Sequence, residues 1–172
     1  MTVTVLVGNP KPSSRTRTVA EAVASRVAAA TGAEVAPTVD LCDYADDLFR
    51  WPHDGLAALT ESVAASSYLV VASPTYMATY TGLLKAFLDR YPNNGLAGTI
   101  AFPVMTGGSP THAMAVETHL RPLLVELGAS VPVRGLCFPT PHIDTLDQIV
   151  DEWAGENLGV LGSLAPTGQV NR

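Results

Sequence analysis

At 172 residues, 47% of them hydrophobic and with a formal net charge of −6, the chain is sized for one domain with a complete core. No apolar run approaches the roughly 20 residues of a membrane span, and the start reads as a strand rather than a secretory signal. An acidic balance excludes nucleic acid as a main partner, since phosphate backbones select basic surfaces. The expectation is a cytoplasmic, membrane-free globular protein.

In chain order, the first strand is expected over 3–8 ("VTVLVG") and the first helix over 15–31. A second strand follows at 34–41, then an acidic loop at 42–54 with Phe49 and Trp51, and a helix at 55–66. The third strand ("YLVVAS", 68–73), a helix over 80–91 and the fourth strand ("TIAFPVMT", 99–106) come next. A helix at 111–128, a fifth strand at 130–138 and a helix at 144–161 complete the domain, 1–164, leaving 165–172 as a flexible tail.

The first, third and fourth strands are continuous apolar runs, as strands covered on both faces are. Pro37 and Pro132 each remove a ladder donor, which sends the second and fifth strands to the edges. Alternation of strand and helix then gives an α/β, flavodoxin-like doubly wound five-stranded parallel sheet, order 2-1-3-4-5, with helices on both faces. In that order Cys42 and Cys137 lie at opposite edges, about 19 Å apart and beyond the roughly 7 Å a disulfide spans. Free thiols are expected.

Ligands of such sheets bind outside the carboxyl ends of the strands, beside the first. There the loop GNPKPSSRT (8–16) supplies the hydroxyls of Ser13, Ser14 and Thr16, the cations Lys11 and Arg15, and the amides of a helix N-terminus, all suited to a phosphate. It is neither a Walker loop nor GxGxxG, because Gly8 has no glycine at 10 or 13. A helix cap alone accounts for one of its hydroxyls. After the third strand, Pro74 sets the turn and Tyr76, Met77 and Tyr80 crowd a loop at the mouth of the same crevice. After the fourth, Gly107 and Gly108 allow close backbone approach, and Ser109 or Thr111 can cap the following helix. Together they suit a flat, polar-edged ring carrying a phosphate. His112 and His119 stand seven apart on the fourth helix, the wrong spacing for a zinc pair. Ser109 lacks the glycine at 111 that a nucleophile elbow needs.

Three stretches carry a resemblance. GNPKPSSRT, SPTYMATYTGLLKAFLD and PVMTGGSPTHAMAVETHLRPLLVELGA, in this order over residues 2–138, are similar to the NADPH-dependent FMN reductase family. They most resemble the small FMN reductases of two-component alkanesulfonate-type monooxygenase systems. The resemblance implies FMN, with NADPH or NADH as donor. Asn9, Lys11, Ser14, Arg15 and Thr16 would take the phosphate, Pro74 to Met77 would follow the ring, and Thr106 to Ser109 with His112 would close its pyrimidine side. Asn9 stands where the family often has serine and Lys11 where it often has arginine. Hydride transfer from nicotinamide to flavin N5 asks for no side-chain acid or base, so no catalytic residue is assigned. A backbone amide near Met77 or Ala78 would tune N5, and Arg15 or Arg17 would meet the nicotinamide nucleotide's phosphates.

The resemblance further implies a homodimer or homotetramer built on the third and fourth helices (Lys85, Asp89 and the 113–125 face). Where its nearest members insert a Tyr or His in the fourth helix, this chain has "VETHLRP" with Thr118 and His119. A flavin-dependent monooxygenase is the partner such reductases serve. Two alternatives use the same scaffold: an FMN-containing quinone or azo-type reductase that retains its flavin, and a flavodoxin-type electron carrier.

Overall fold

The computed structural model describes residues 1–108 and 113–163. Ser109, His112 and the 165–172 tail lie outside the described residues, so the expectations placed on them have no structural counterpart here.

Strand β1 (Thr2–Val7) leads through the 8–14 loop into helix α1 (Arg15–Thr31). Ser14 caps α1, its Oγ accepting the Arg17 N–H at 3.2 Å, and Gly32 ends it at φ 68°, returning its N–H to the Ala28 carbonyl. Val19, Ala20, Val23, Ala24 and Val27 recur at helical spacing and are buried.

The second strand is two short pieces, β2 (Glu34–Val35) and β3 (Val39–Asp40), both parallel to β1. The expected continuous 34–41 strand breaks around Pro37, which has no N–H for the ladder. After helix α2 (Asp54–Ala64), strand β4 (Tyr68–Pro74) and helix α3 (Gly82–Leu88), strand β5 (Ile100–Gly107) runs fully buried. His53, read from sequence as a loop residue, is the N-cap of α2, its Nδ1 accepting the Leu56 N–H at 3.2 Å.

The fourth helix begins with a π-helical turn (Val116–Leu120) in which the Arg121 N–H reaches back to the Val116 carbonyl, then continues as α4 (Arg121–Glu126). A wide turn of this kind is one extra residue in a helix, and it falls on the Thr118–His119 stretch. Strand β6 (Leu136–Pro139) and helix α5 (Leu146–Asn157) end the fold, with a 3-10 extension over Leu158–Ser163. No described helix is long and apolar enough to cross a membrane.

All pairings between the described strands of the sheet are parallel and the order is β2-β1-β4-β5-β6, with β3 also on β1. Counting β2 and β3 as one interrupted strand, this is the expected 2-1-3-4-5 arrangement. The fifth strand is shorter than expected: Ser130 meets Ile100 in an isolated bridge, and continuous pairing resumes only at Leu136. The cause is legible in the side chains. The Ala101 N–H donates to the Ser130 carbonyl, and two residues on Pro103 turns the same edge to the same neighbour with no N–H to offer. Arg121 then takes the carbonyls of Val131 (2.6 Å) and Val133, drawing that segment out of the ladder.

The alternation of each strand sorts the core. Val3, Val5, Val7, Val70 and Phe102 pack toward α1 and α5, while Leu6, Leu69, Val71 and Met105 pack toward α2, α3 and α4. Trp153 of α5 meets Phe102 edge-on at 6.4 Å and donates its indole N–H to the Arg134 carbonyl. Cys42 and Cys137 form no disulfide with each other; Cys42 follows β3, and Cys137 lies within β6.

Candidate functional site

At the carboxyl ends of β1, β4 and β5 a crevice of about 430 Å³ opens between the 9–16 loop, Pro74–Tyr76, Thr106–Gly108 and Thr140. That volume is within the range of small-molecule sites.

The first wall is rigid. Asn9 is buried; its Nδ2 donates to Thr16 Oγ1 at 2.9 Å, and its Oδ1 accepts the Lys11 N–H at 3.0 Å. Thr16 Oγ1 in turn lies 2.8 Å from Thr106 Oγ1, so a chain of buried hydrogen bonds joins the first loop, α1 and the end of β5. Asn9 and Thr16 therefore spend their side chains inside the protein, shaping the cradle. Ser14 is committed partly to its cap.

What faces outward is charge and backbone. The Arg17 and Thr18 N–H groups go to Ser14, leaving the first amides of α1, at Arg15 and Thr16, without intrahelical partners. No acidic residue lies in the first turn of α1. Arg15 is exposed there, a cation at the positive end of a helix dipole, an arrangement an anion would relieve. Among the described residues neither Lys11 nor Arg15 makes an ion pair. Arg17 does: its Nε binds Glu21 at 2.8 Å and it stands 3.8 Å from buried Asp40, contacts that raise its pKa, the Glu21 hydrogen bond first. Those bonds turn Arg17 toward Glu21 and Asp40, and of the two arginines weighed for a second phosphate Arg15 alone borders the crevice.

The second wall is anchored through Thr81. It caps α3, accepting the Leu84 N–H at 3.1 Å, while its own N–H goes to Ser73 Oγ at 3.0 Å and its hydroxyl to the Gly8 carbonyl. Gly8 is required at this crossing: a Cβ there would stand 2.5 Å from the Leu84 Cβ. The segment between folds as a two-residue hairpin, Tyr76 and Thr79 exchanging both backbone bonds, with Met77 at φ 48° and Ala78 at φ 65°. Both central residues are left-handed, the geometry of a type I′ turn, unusual for residues with a Cβ. Tyr76 borders the crevice half-exposed, and Met77 projects into solvent, 98% exposed.

The third wall holds the most specific feature. Thr75 Oγ1 is buried with no hydrogen-bond partner, the single such side-chain atom among the described residues. Gly107 lies against it, and a Cβ on Gly107 would come within 3.5 Å of that oxygen. Thr140, which follows β6, closes this side and donates its hydroxyl to the Gly107 carbonyl at 3.1 Å. Sequence reasoning missed Thr140. The signal available was its place just past a strand's carboxyl end on the ligand side of the sheet.

A family model described as NADPH-dependent FMN reductase matches residues 1–141. The chain belongs to the NADPH-dependent FMN reductase family. Within 140 aligned residues it is 33% identical to an FMN reductase (NADPH) of Escherichia coli, covering 79% of this chain and 72% of that one. Two solved structures are each 29% identical. An oxidoreductase from Corynebacterium diphtheriae superposes with a TM-score of 0.81, covering 95% of this chain and 98% of its own. An NADH:FMN oxidoreductase in its apo form gives 0.74, over 91% of this chain and 89% of its own. The described crevice residues lie within the matched span, so the site sits in the part of the chain that this FMN reductase family shares.

Proposed function

We propose that the crevice binds FMN and that the protein is an NAD(P)H-dependent FMN reductase. The observation that carries this reading is one crevice lined both by two cations with no ion pair among the described residues, Lys11 and Arg15, and by Thr75, whose hydroxyl is orphaned. Lys11, Arg15 and the first amides of α1 suit the 5′-phosphate. Thr75, left unsatisfied at the cost of about 1–3 kcal/mol for a buried polar group, suits the polar edge of the ring. Gly107 and Gly108 line the same crevice and put no side chain into it. The residues present fit the group.

Bound there, FMN would supply the redox chemistry, that of a hydride acceptor for a nicotinamide donor. The chain's own residues bind and orient. Asn9, Thr16 and Thr106 hold the cradle's shape, Thr81 fixes the second loop against Gly8 and Ser73, and Tyr76 and the Met77–Ala78 turn border the ring's approach.

Purified protein mixed with NADPH or NADH tests the reading. Oxidation that requires added FMN and saturates with it supports a reductase that releases reduced flavin, as a monooxygenase partner would need. The same preparation, weighed by light scattering, is expected at a multiple of the chain mass. Turnover only with a quinone or azo dye, on a protein already yellow, favours the flavin-retaining class. No oxidation under either condition favours a carrier and overturns the reductase.

A further inference from the structure

Thr140 acts on the Gly107–Gly108 peptide, and its effect follows from the planarity of that group. The only cis peptide bond among the described residues is Trp51–Pro52, so Gly107–Gly108 is trans. In a trans peptide the C=O and N–H point in opposite directions. Gly107 pairs with Pro139 across the β5–β6 ladder, and the Thr140 hydroxyl holds the Gly107 carbonyl on that β6 side at 3.1 Å. The Gly108 N–H therefore faces the β4 side, where Thr75 keeps its buried, unpartnered hydroxyl. Two consecutive glycines have no side chain to resist rotation of the peptide between them. The hydroxyl of Thr140 supplies that resistance from outside the loop.

We propose that Thr140 is a positioning residue for flavin binding. It locks the Gly107–Gly108 peptide so that the Gly108 N–H and the Thr75 hydroxyl together face an alternating acceptor–donor edge, such as the imide of a pyrimidine ring. This rests on the reading that the crevice takes FMN. Another grip on the end of β5 comes from α1 and the first loop, through Asn9, Thr16 and Thr106. Thr140 thus acts on the ring end of the ligand and not on its phosphate.

The test uses the full chain as Thr140→Val, which keeps shape and removes the donor, and Thr140→Ser, which keeps the donor. Affinity for FMN and for riboflavin is read by flavin fluorescence, and amide exchange at Gly108 is read in the flavin-free protein. The valine variant is expected to lose about tenfold in affinity for both flavins, a change of about 1.4 kcal/mol, with faster exchange at Gly108; serine restores both. Native affinity and native exchange in the valine variant overturn the proposal, as does a serine variant as impaired as valine. If the unsubstituted protein binds neither flavin, the FMN reading fails by itself. The clamp is then judged on exchange alone: faster exchange in valine and its recovery in serine uphold it, and unchanged exchange sinks it. Should the valine variant not fold, Thr140→Ala and Thr140→Ser are compared by the same two readouts.

Discussion

Thr75 sits with its hydroxyl buried and unpartnered in a protein whose other described buried side-chain polar atoms are satisfied. A group in that state destabilises the molecule unless a ligand completes it. Thr75→Val replaces the hydroxyl by a methyl group of nearly the same shape. It is expected to raise the melting temperature of the flavin-free protein by about 2–4 °C, the equivalent of about 1 kcal/mol at this chain length, while weakening FMN binding. Calorimetry and a fluorescence titration on one preparation read both quantities. A lowered melting temperature with unchanged affinity would mean that the hydroxyl serves the fold instead. At the same scale the sequence was informative about type and uninformative about direction. Asn9 and Thr16 stand in the loop where a phosphate site was expected, yet they bond to each other and to Thr106, 90 positions from Thr16. A contact that distant leaves no local pattern. His53, which caps α2 through Nδ1, was hidden because histidine is an uncommon residue for that role.

Among the elements, α1 was legible to the residue because its period, its serine cap and its terminal glycine agree. The fourth helix and fifth strand were not, and one pair of side chains explains both. Glu117, in the π-helical turn, binds Arg121 and accepts the Gly135 N–H at 2.7 Å, while Arg121 holds the carbonyls of Val131 and Val133. Together they pin the irregular 131–135 segment and set where β6 begins. Gly135 fits there because a Cβ would stand 2.4 Å from Val116 Cγ2 and 3.0 Å from the Pro103 carbonyl. The Arg121 hydrogen bond, more than the Gly135 N–H, holds the Glu117 carboxyl below its ordinary pKa of 4.5. A depressed folded-state pKa stabilises the fold above the unfolded value, and that contribution fades as pH falls toward the folded one. As pH falls below about 4.5, the native protein should therefore lose thermal stability faster than Glu117→Gln, which has no carboxylate to protonate. Parallel losses in the two proteins would show that the pair contributes nothing to this edge.

For the whole molecule, strand order and ligand side follow from features a chain displays openly. Continuous apolar runs mark central strands, proline marks the edges, and a parallel sheet binds its ligand where strand order reverses. Pro103 is the exception that tests the rule: it lies in a central strand, at the point where β5 has no continuous neighbour between Ser130 and Leu136. The same logic links architecture to chemistry. Five described cations at positions 17, 26, 50, 85 and 121 are held in ion pairs. Of the other described cations, Arg90 donates to the Leu48 and Arg50 carbonyls and Arg134 lies before β6, both away from the crevice, while Lys11 and Arg15 border it. In a chain of net charge −6, that leaves positive charge where the phosphate of FMN would lie.

The most direct measurement is therefore a comparison of FMN with riboflavin, identical but for the phosphate, by fluorescence titration of the purified protein at low and high salt. FMN should bind at least about tenfold more tightly, since charge-assisted bonds contribute about 1.5–3 kcal/mol each, and the advantage should shrink as salt rises. Equal affinity for the two flavins would contradict the phosphate cradle and, with it, the assignment of the crevice.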